Sequence, residues 1–545
     1  GVLTGALVLS AGPMALAATA NYNDSSVTGG SAAWQDWVKE WETVATDYTK
    51  VSLTPGADET QLNFAWYSKT ESGKAATPVV HFGTDKDHLT AFTGKAAQVD
   101  NSLTDGVAYD YNHVTVTGLE ANTTYYYTVE KNGIQSEVQE YKTGSFDSVK
   151  MLYVGDPQIG ASKGQPQNGE ALTAGSGAAN TAARNDAFAW NRTLEIATAQ
   201  NPGVNFIISA GDQVNKTGQA KEEEYAGYLS PAVLAGLPVA TTIGNHDKSS
   251  VDYTGDTYRD VLGPRWYSFN RGEVHFVAMD NCLFSGQDYT GGFTDEQVAW
   301  LEKDLSFVPT SKMIVLYYHI PLRDTNYRNR QKVLDLISKY QNPTLMCAHT
   351  HYFQPYHMRS HNLFERIHGG TCGYFWRSNC GGDGTPNGFM VYEIDGTKIV
   401  DTYFKASQRP DDHQIRLYHG DAVFAGPYAT YKYDLGADVV VANVFAAGMD
   451  GTTWKVELSE DGGKTWSDMS PIEQNYGDRW IRGYHIGVEH HPTESGTSPC
   501  YHQYQYKLKD AAATAIEVRA TDSFGHVYTQ DTFTADNDFT EAEKY

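Results

Sequence analysis

Five short stretches carry carboxylate, amide and imidazole side chains in an order that can hold metal ions. They are Gly155-Asp156-Pro157-Gln158, Gly211-Asp212-Gln213-Val214-Asn215, Gly244-Asn245-His246-Asp247, Tyr318-His319 and Ala348-His349-Thr350-His351. Asp156, Asp212, Asn245, His319 and His349 are separated by 56, 33, 74 and 30 residues. A lone Gly-Asp or His-x-His is an ordinary structural feature. Five such stretches, each directly after an apolar run, are not. Mixed oxygen and nitrogen donors suit Fe, Mn or Zn and argue against copper–thiolate chemistry.

The elements that must position these residues alternate between strands and helices. Lys150–Val154 and Phe206–Ala210 read as continuous apolar strands, as in sheets covered on both faces. Lys312–Tyr318 and Pro343–Cys347 read as further strands, and 239–243 as another. A carboxylate just past such a strand lies where open α/β sheets bind ligands. The preceding glycines, Gly155, Gly211 and Gly244, permit close backbone approach or an unusual φ. Asp186–Ala199 and Thr294–Leu305 have helical patterning, the second with Thr294 as N-cap and Gln297 completing a capping box.

The ordered set resembles the calcineurin-like metallophosphoesterases, whose pattern runs D-x-H, G-D-x-x, G-N-H-D/E, a lone H, then G-H-x-H. The resemblance implies two transition metal ions (Fe, Mn or Zn). Asp212 would bridge them, the first ion taking Asp156 and His351, and the second taking Asn245, His319 and His349. Two such ions clamp a phosphoryl group and acidify a bound water. His246 would stand over the phosphoryl oxygen or protonate the leaving group, and Asp247 would orient His246. This sequence departs from the pattern at three places. Gln158 stands where the family has histidine, a weaker neutral ligand to the first ion. Asn215 stands where purple acid phosphatases have a tyrosine ligand, so no charge-transfer colour is expected. Ala348 replaces a usual glycine.

Substrate contacts are expected from the turn-rich stretch Tyr374 to Gly388. Phe375 or Trp376 would stack on a ring or acyl group, Arg377 or Arg323 would hold a phosphate oxygen, and Asp383 and Asn387 lie in a D-G-x-P-N-G stretch found near the site in relatives. His357, His361 and His368 read as packing or surface residues, and His490 and His491 as solvated ones.

The fold class expected is multidomain, α/β plus all-β. Residues 1–20 read as a signal peptide remnant, on the apolar run Val2 to Leu16 and Ala15-Leu16-Ala17. Residues 21–50 form an N-terminal helical segment with Trp34, Trp37, Val38 and Trp41 on one face. Residues 51–145 alternate as a β-sandwich. They resemble a fibronectin type III module, above all the one preceding the catalytic domain of purple acid phosphatases. Residues 146–405 form the metallophosphoesterase domain, which the resemblance makes an αββα fold. Residues 406–545 are β-rich and resemble the domain that follows some bacterial calcineurin-like phosphoesterases. Gly160 to Thr181 is a low-complexity patch that reads as a mobile loop.

The 545 residues carry a net charge of −25. Such a field repels polyanions and argues against nucleic-acid polymers, but not against a small phosphate ester. Outside the N-terminal run no stretch is long and apolar enough to span a bilayer. The expected location is secreted or extracytoplasmic. The five cysteines are no disulfide framework. Cys372 and Cys380 are the candidate pair, and at least one thiol is left over. The function expected is hydrolysis of an organic phosphate ester, small or linked to a lipid or polymer, by attack of an activated water. The alternatives are a phosphodiesterase acting on a lipid headgroup or wall polymer, and a non-catalytic surface protein whose β-domains contact glycan or the cell surface.

Overall fold

The structure, a computed structural model, describes residues 32–542 apart from 46, 48–49, 71–76, 99–107, 132, 163–177, 216–221, 250–251, 408, 425–430 and 488–497. The expected signal remnant, most of the low-complexity patch, and His490 and His491 lie outside these residues.

Two sheets stack face to face at the centre. In the first, Ser148–Val154 pairs in parallel with Phe206–Ala210, which pairs in parallel with Val239–Thr242. Its other edge continues antiparallel through Gly388–Asp395 and Lys398–Ala406. In the second, Val274–Ala278, Met313–Tyr317, Gln341–Cys347 and Leu363–Ile367 run parallel, with antiparallel edges Tyr267–Arg271 and Gln354–Met358. Side chains alternate across each strand. Met151, Tyr153, Phe206 and Ile208 meet Phe276, Met313, Val315 and Tyr317 between the sheets. Leu152, Val154 and Ile207 face helices Ala32–Val44 and Ala178–Gln200 on one side. Ile314, Leu316 and Leu345 face helices Asp295–Leu305 and Arg330–Ile337 on the other. The result is a four-layer αββα unit, and its continuous apolar strands follow from burial on both faces.

The N-terminal helix belongs to this core. Trp34, Trp37 and Trp41 are buried, and Trp34 meets Phe188 edge-on with centroids 5.3 Å apart. A buried indole of this kind contributes on the order of 3 kcal/mol. Thr294 caps its helix, accepting from Gln297 N at 3.2 Å. The Gln297 side chain does not return the bond. It is exchanged with the backbone of Asp280, so the expected capping box is half made and the amide joins two elements instead.

Two β-domains flank the core. Residues 52–142 form a sandwich of a four-stranded and a five-stranded sheet, tied to the core by Tyr127 Oη to Ala235 O at 2.6 Å and Asn270 N to Ala57 O at 2.8 Å. Residues 415–530 form two four-stranded sheets, tied to it by Arg366 Nε to Met449 O at 3.0 Å and Asn443 Nδ2 to Asp383 O at 2.8 Å. No helix among the described residues is long and apolar enough to cross a membrane. All five cysteines are free and buried, which corrects the expected Cys372–Cys380 pair. Cys372 Sγ lies 3.7 Å from His351 Nδ1, and Cys380 Sγ lies 3.5 Å from an Arg416 nitrogen.

Candidate metal centre

Every candidate ligand leaves the C-terminal end of a parallel strand. Asp156 and Gln158 follow Ser148–Val154, Asp212 follows Phe206–Ala210, and Asn245 follows Val239–Thr242. His319 follows Met313–Tyr317, and His349 and His351 follow Gln341–Cys347, in the facing sheet. Stacking the sheets brings two half-sites together.

The backbone at these positions is unusual. Of the twelve non-glycine residues with positive φ among the described residues, seven are here: Asp156, Gln158, Asp212, His349, His351, Phe375 and Trp376. Four of the other five are asparagines, which tolerate that region. Such strain persists only where the surroundings enforce it, and it gathers at functional sites. The glycines make room. A Cβ on Gly211 would sit 2.3 Å from His319 Nδ1, and one on Gly244 would sit 2.1 Å from Asp212 Oδ1. Gly155 likewise admits the methyl group of Ala348, which its own Cβ would approach to 2.8 Å.

Electron-pair donors converge with few protons between them. His319 Nδ1–H donates to Ala210 O at 2.7 Å, which leaves Nε2 facing inward. That nitrogen lies 3.1 Å from Asp212 Oδ2, 3.1 Å from Asn245 Oδ1, 3.2 Å from His349 Nδ1 and 3.8 Å from Asp156 Oδ1. His351 Nε2 lies 3.4 Å from Asp156 Oδ1. Asp212, His319 and His349 could hold one ion, their ligand atoms all within 4.8 Å of each other. Asp156 Oδ1 and Gln158 Oε1 are buried with no hydrogen-bond partner among the described residues. Leaving such groups unmet costs about 1–3 kcal/mol each, more for a charge. A cation satisfies them all at once, so the residues fit a metal centre.

The electrostatics agree. Burial opposes charge on Asp212, but His319 and His246 outweigh it and hold the carboxylate below its usual range. Burial likewise opposes a proton on His319, yet Asp212 lifts it to about 9. Burial and the charge on His319 push His349 down to about 4. Without a cation, His319 and His351 both hold a proton more tightly than a free imidazole, and metal uptake would release those protons.

Two of the three departures from the family pattern, Gln158 and Asn215, bond to each other. Gln158 Nε2 donates to Asn215 Oδ1 at 3.0 Å, which aligns the amide and leaves its oxygen unpartnered. The carbonyl of Asn215 also accepts from His246 Nδ1 at 2.7 Å. Asn215 thus orients one candidate ligand and the candidate acid. Asn215→Ala is expected to weaken the first ion about 10–100-fold, the range for losing a ligand's supporting bond. Metal titration followed by calorimetry checks it.

Several expectations need correction. The bond that holds the His246 ring, expected from Asp247, comes from the Asn215 carbonyl. The buried Asp247 carboxylate accepts from Gly244 N at 2.8 Å and Gln213 N at 3.0 Å, clamping two motifs together. The ≈ 300 Å³ cleft over the centre includes Phe375, but not Trp376, Arg377, Arg323, Asp383 or Asn387. Trp376 is buried and donates from Nε1 to Pro157 O at 2.6 Å. Arg323 bonds Tyr352 Oη and Gln354 Oε1. Asp383 accepts from Phe353 N at 2.9 Å and meets His502 Nε2 at 3.0 Å, joining the His-x-His loop to the C-terminal domain. Asn387 is packed under Gly373, whose Cβ would collide with it. The cleft instead gains Tyr289, Tyr374 and Ser498. Tyr289 is on a hairpin that pairs Cys282–Ser285 with Asp288–Gly291, and no motif marks it.

His368 is a core residue. Nδ1 meets Cys347 O at 3.0 Å, Nε2 meets Tyr392 Oη at 2.6 Å, and the ring stacks on Tyr153. Burial pushes it down to about 3. The unfolded chain therefore takes up a proton below about pH 6.5 that the folded chain refuses, and stability falls as pH drops toward 3. This one group is expected to cost up to about 3 kcal/mol between pH 6.5 and 4.5. Melting curves across that range check it, since His368→Gln flattens that part of the profile.

Comparison with known proteins follows the same layout. The family model for the purple acid phosphatase N-terminal domain matches residues 48–143. That for calcineurin-like phosphoesterase matches 150–353, and that for the C terminal of calcineurin-like phosphoesterase matches 365–528. A curated protein of Arcobacter nitrofigilis, described as a probable glycerophosphodiester phosphodiesterase GpdQ, is 25% identical over 167 residues. The match covers 28% of this chain and 58% of that protein, so this chain spans less than two thirds of the relative's length. Among solved structures, purple acid phosphatase PPD1 from yellow lupin (Lupinus luteus) seeds matches with 13% identity and a TM-score of 0.43. It covers 65% of this chain and 73% of its own. PhoD matches with 12% identity and a TM-score of 0.43, over 73% of this chain and 91% of its own. The three family matches fall in chain order and the central one spans every candidate ligand from Asp156 to His351, so residues 150–353 are a calcineurin-like phosphoesterase domain.

Proposed function

We propose that this protein is a phosphoric ester hydrolase that works with two metal ions. The observation that carries this reading is the convergence of carboxylate, amide and imidazole atoms around His319 Nε2, with Asp156 Oδ1 and Gln158 Oε1 buried and unpartnered beside them. Asp156, Gln158, Asp212 and His351 would hold the first ion. Asp212, Asn245, His319 and His349 would hold the second. Bound there, the ions supply Lewis acidity and a water acidic enough to attack near neutral pH. The donor set suits Fe, Mn or Zn.

The chain's own residues do the rest. His246 lines the cleft, and its Nδ1 is engaged with the Asn215 carbonyl, so Nε2 is the nitrogen that serves the substrate. From there it protonates the leaving oxygen. His246 N also donates to Asp212 Oδ1 at 2.8 Å, which fixes acid and bridging ligand in one frame. The substrate is an organic phosphate ester outside the cytoplasm. The apolar run Val2 to Leu16 supports that location.

Chelation and add-back test the reading. Dialysis against a chelator is expected to lower hydrolysis of nitrophenyl phosphate esters at least a hundredfold, and Mn, Zn or Fe is expected to restore it. Undiminished turnover by protein shown to be metal-free would overturn it.

A further inference from the structure

We propose that the cleft is built for a phosphodiester, with Phe375 and Tyr289 each packing against one of the two ester limbs. This rests on the hydrolase reading above and names the substrate class of the same site.

The first observation is charge. A phosphomonoester carries a charge of about −1.5 to −2 at pH 7, and its recognition usually draws on arginine or lysine forks. Among the described residues, no arginine or lysine lines this cleft. Arg323, a basic residue expected to hold a phosphate oxygen, is instead half-buried in bonds to Tyr352 and Gln354. A diester has a single charge, which the metal centre alone can meet, and it puts carbon chains on two sides.

The second observation is where the aromatic rings stand. The Phe375 ring lies 4.9 Å from that of His351, a candidate ligand of the first ion. The Tyr289 ring lies 5.9 Å from that of His349, a candidate ligand of the second, and meets it edge-on. A diester bridging the centre therefore has one ring beside each limb. Tyr289 is 42% exposed on its hairpin, so its ring is open to the cleft it lines.

The third observation is strain. Phe375 has φ 51° and Trp376 φ 58°, a region that bulky residues rarely occupy and hold only where the surroundings enforce it. The turn is held there by Trp376 Nε1 on Pro157 O and by Trp376 N on Cys372 O at 2.7 Å. Those bonds present the Phe375 ring to the cleft, where it is only partly buried, while Trp376 is buried.

In the reaction, a water oxygen bonds to phosphorus and one P–O ester bond breaks. The leaving oxygen takes a proton from His246, one of the water's two protons restores His246 through solvent, and the other is released as the phosphomonoester ionises. The products are an alcohol and a phosphomonoester, and the latter is a poor second substrate.

The test uses the full chain reconstituted with Mn or Zn. Its substrates are bis-para-nitrophenyl phosphate and para-nitrophenyl phosphate, with wild type, Phe375→Ala and Tyr289→Ala compared. Metal content is measured on each sample. The expectation is a kcat/KM for the diester at least tenfold above that for the monoester. Each substitution should raise KM for the diester about five- to tenfold and narrow the preference for the diester over the monoester, with metal content unchanged. Preference for the monoester, or equal loss on both esters with metal content intact, would overturn the diester assignment and leave the hydrolase standing. Turnover of neither ester by protein holding two ions would overturn both.

Discussion

Asp212→Asn is expected to abolish turnover, lowering kcat by at least about a thousandfold, while the fold persists. The substitution suits the backbone, because asparagine tolerates the φ of 52° that Asp212 adopts. The main-chain carbonyl still accepts from Gln158 N at 2.7 Å. The side chain is another matter. Oδ1 accepts from His246 N at 2.8 Å, and Oδ2 lies 3.1 Å from His319 Nε2. An amide nitrogen at the first place faces another donor, and at the second it withdraws the negative charge proposed to bridge two ions. Neither orientation keeps both contacts. Metal content measured beside kcat checks this, and the circular dichroism spectrum should match wild type. Turnover within tenfold of wild type would show that Asp212 does not bridge the centre.

Gly244→Ala carries the second large effect, on stability and metal content together. Its cost is steric, since the new methyl group would lie 2.1 Å from Asp212 Oδ1 and 2.3 Å from Asp212 N. The second of these is backbone and cannot swing aside. Gly244 N is also held by Asp247 Oδ2 at 2.8 Å, so the Gly244 strand end cannot retreat without breaking the clamp. A destabilisation of about 3 kcal/mol is expected, with loss of bound metal. Gly118→Ala supplies the control. That glycine has φ 79° but nothing within 4 Å of the added methyl, so only about 1–2 kcal/mol of backbone strain is expected there and no metal is lost. Urea denaturation of the two variants, with metal analysis of each, separates crowding at the site from conformational strain.

Much of the centre was legible in the sequence because it follows strands. An apolar run buried on both faces announces itself, and the residue after it falls at the sheet's C-terminal edge. Asp156, Asp212 and His319 were placed by that logic, and the family's order supplied Asn245, His349 and His351. Local patterning also found the helix of Trp34, Trp37 and Trp41, although not that it packs on the αββα core through Phe188. What the sequence concealed depends on contacts distant in the chain. Nothing local distinguishes Phe375, which faces the cleft, from Trp376, which is buried beneath it. The turn's left-handed backbone makes that choice. Asp383 and Asn387 looked like site residues because they lie in a turn-rich loop near it, but the Asp383 carboxylate is spent on Phe353, Thr385 and His502, and Asn387 Nδ2 donates to Ser378 O. Tyr289 and Ser498 reach the cleft from a hairpin and from the C-terminal domain, with no spacing rule to mark either. The bond from Gln158 to Asn215 spans 57 residues, so two apparent losses read separately in sequence become one paired change in space.

The most direct test is to locate the metal. Crystals grown with Mn or Zn and measured at the metal's absorption edge should show two anomalous peaks about 3.5–4 Å apart, with Asp212 between them. One peak should touch Asp156, Gln158 and His351, and the other Asn245, His319 and His349. A fully loaded, active protein with a single peak, or with peaks away from Asp212, would contradict the account.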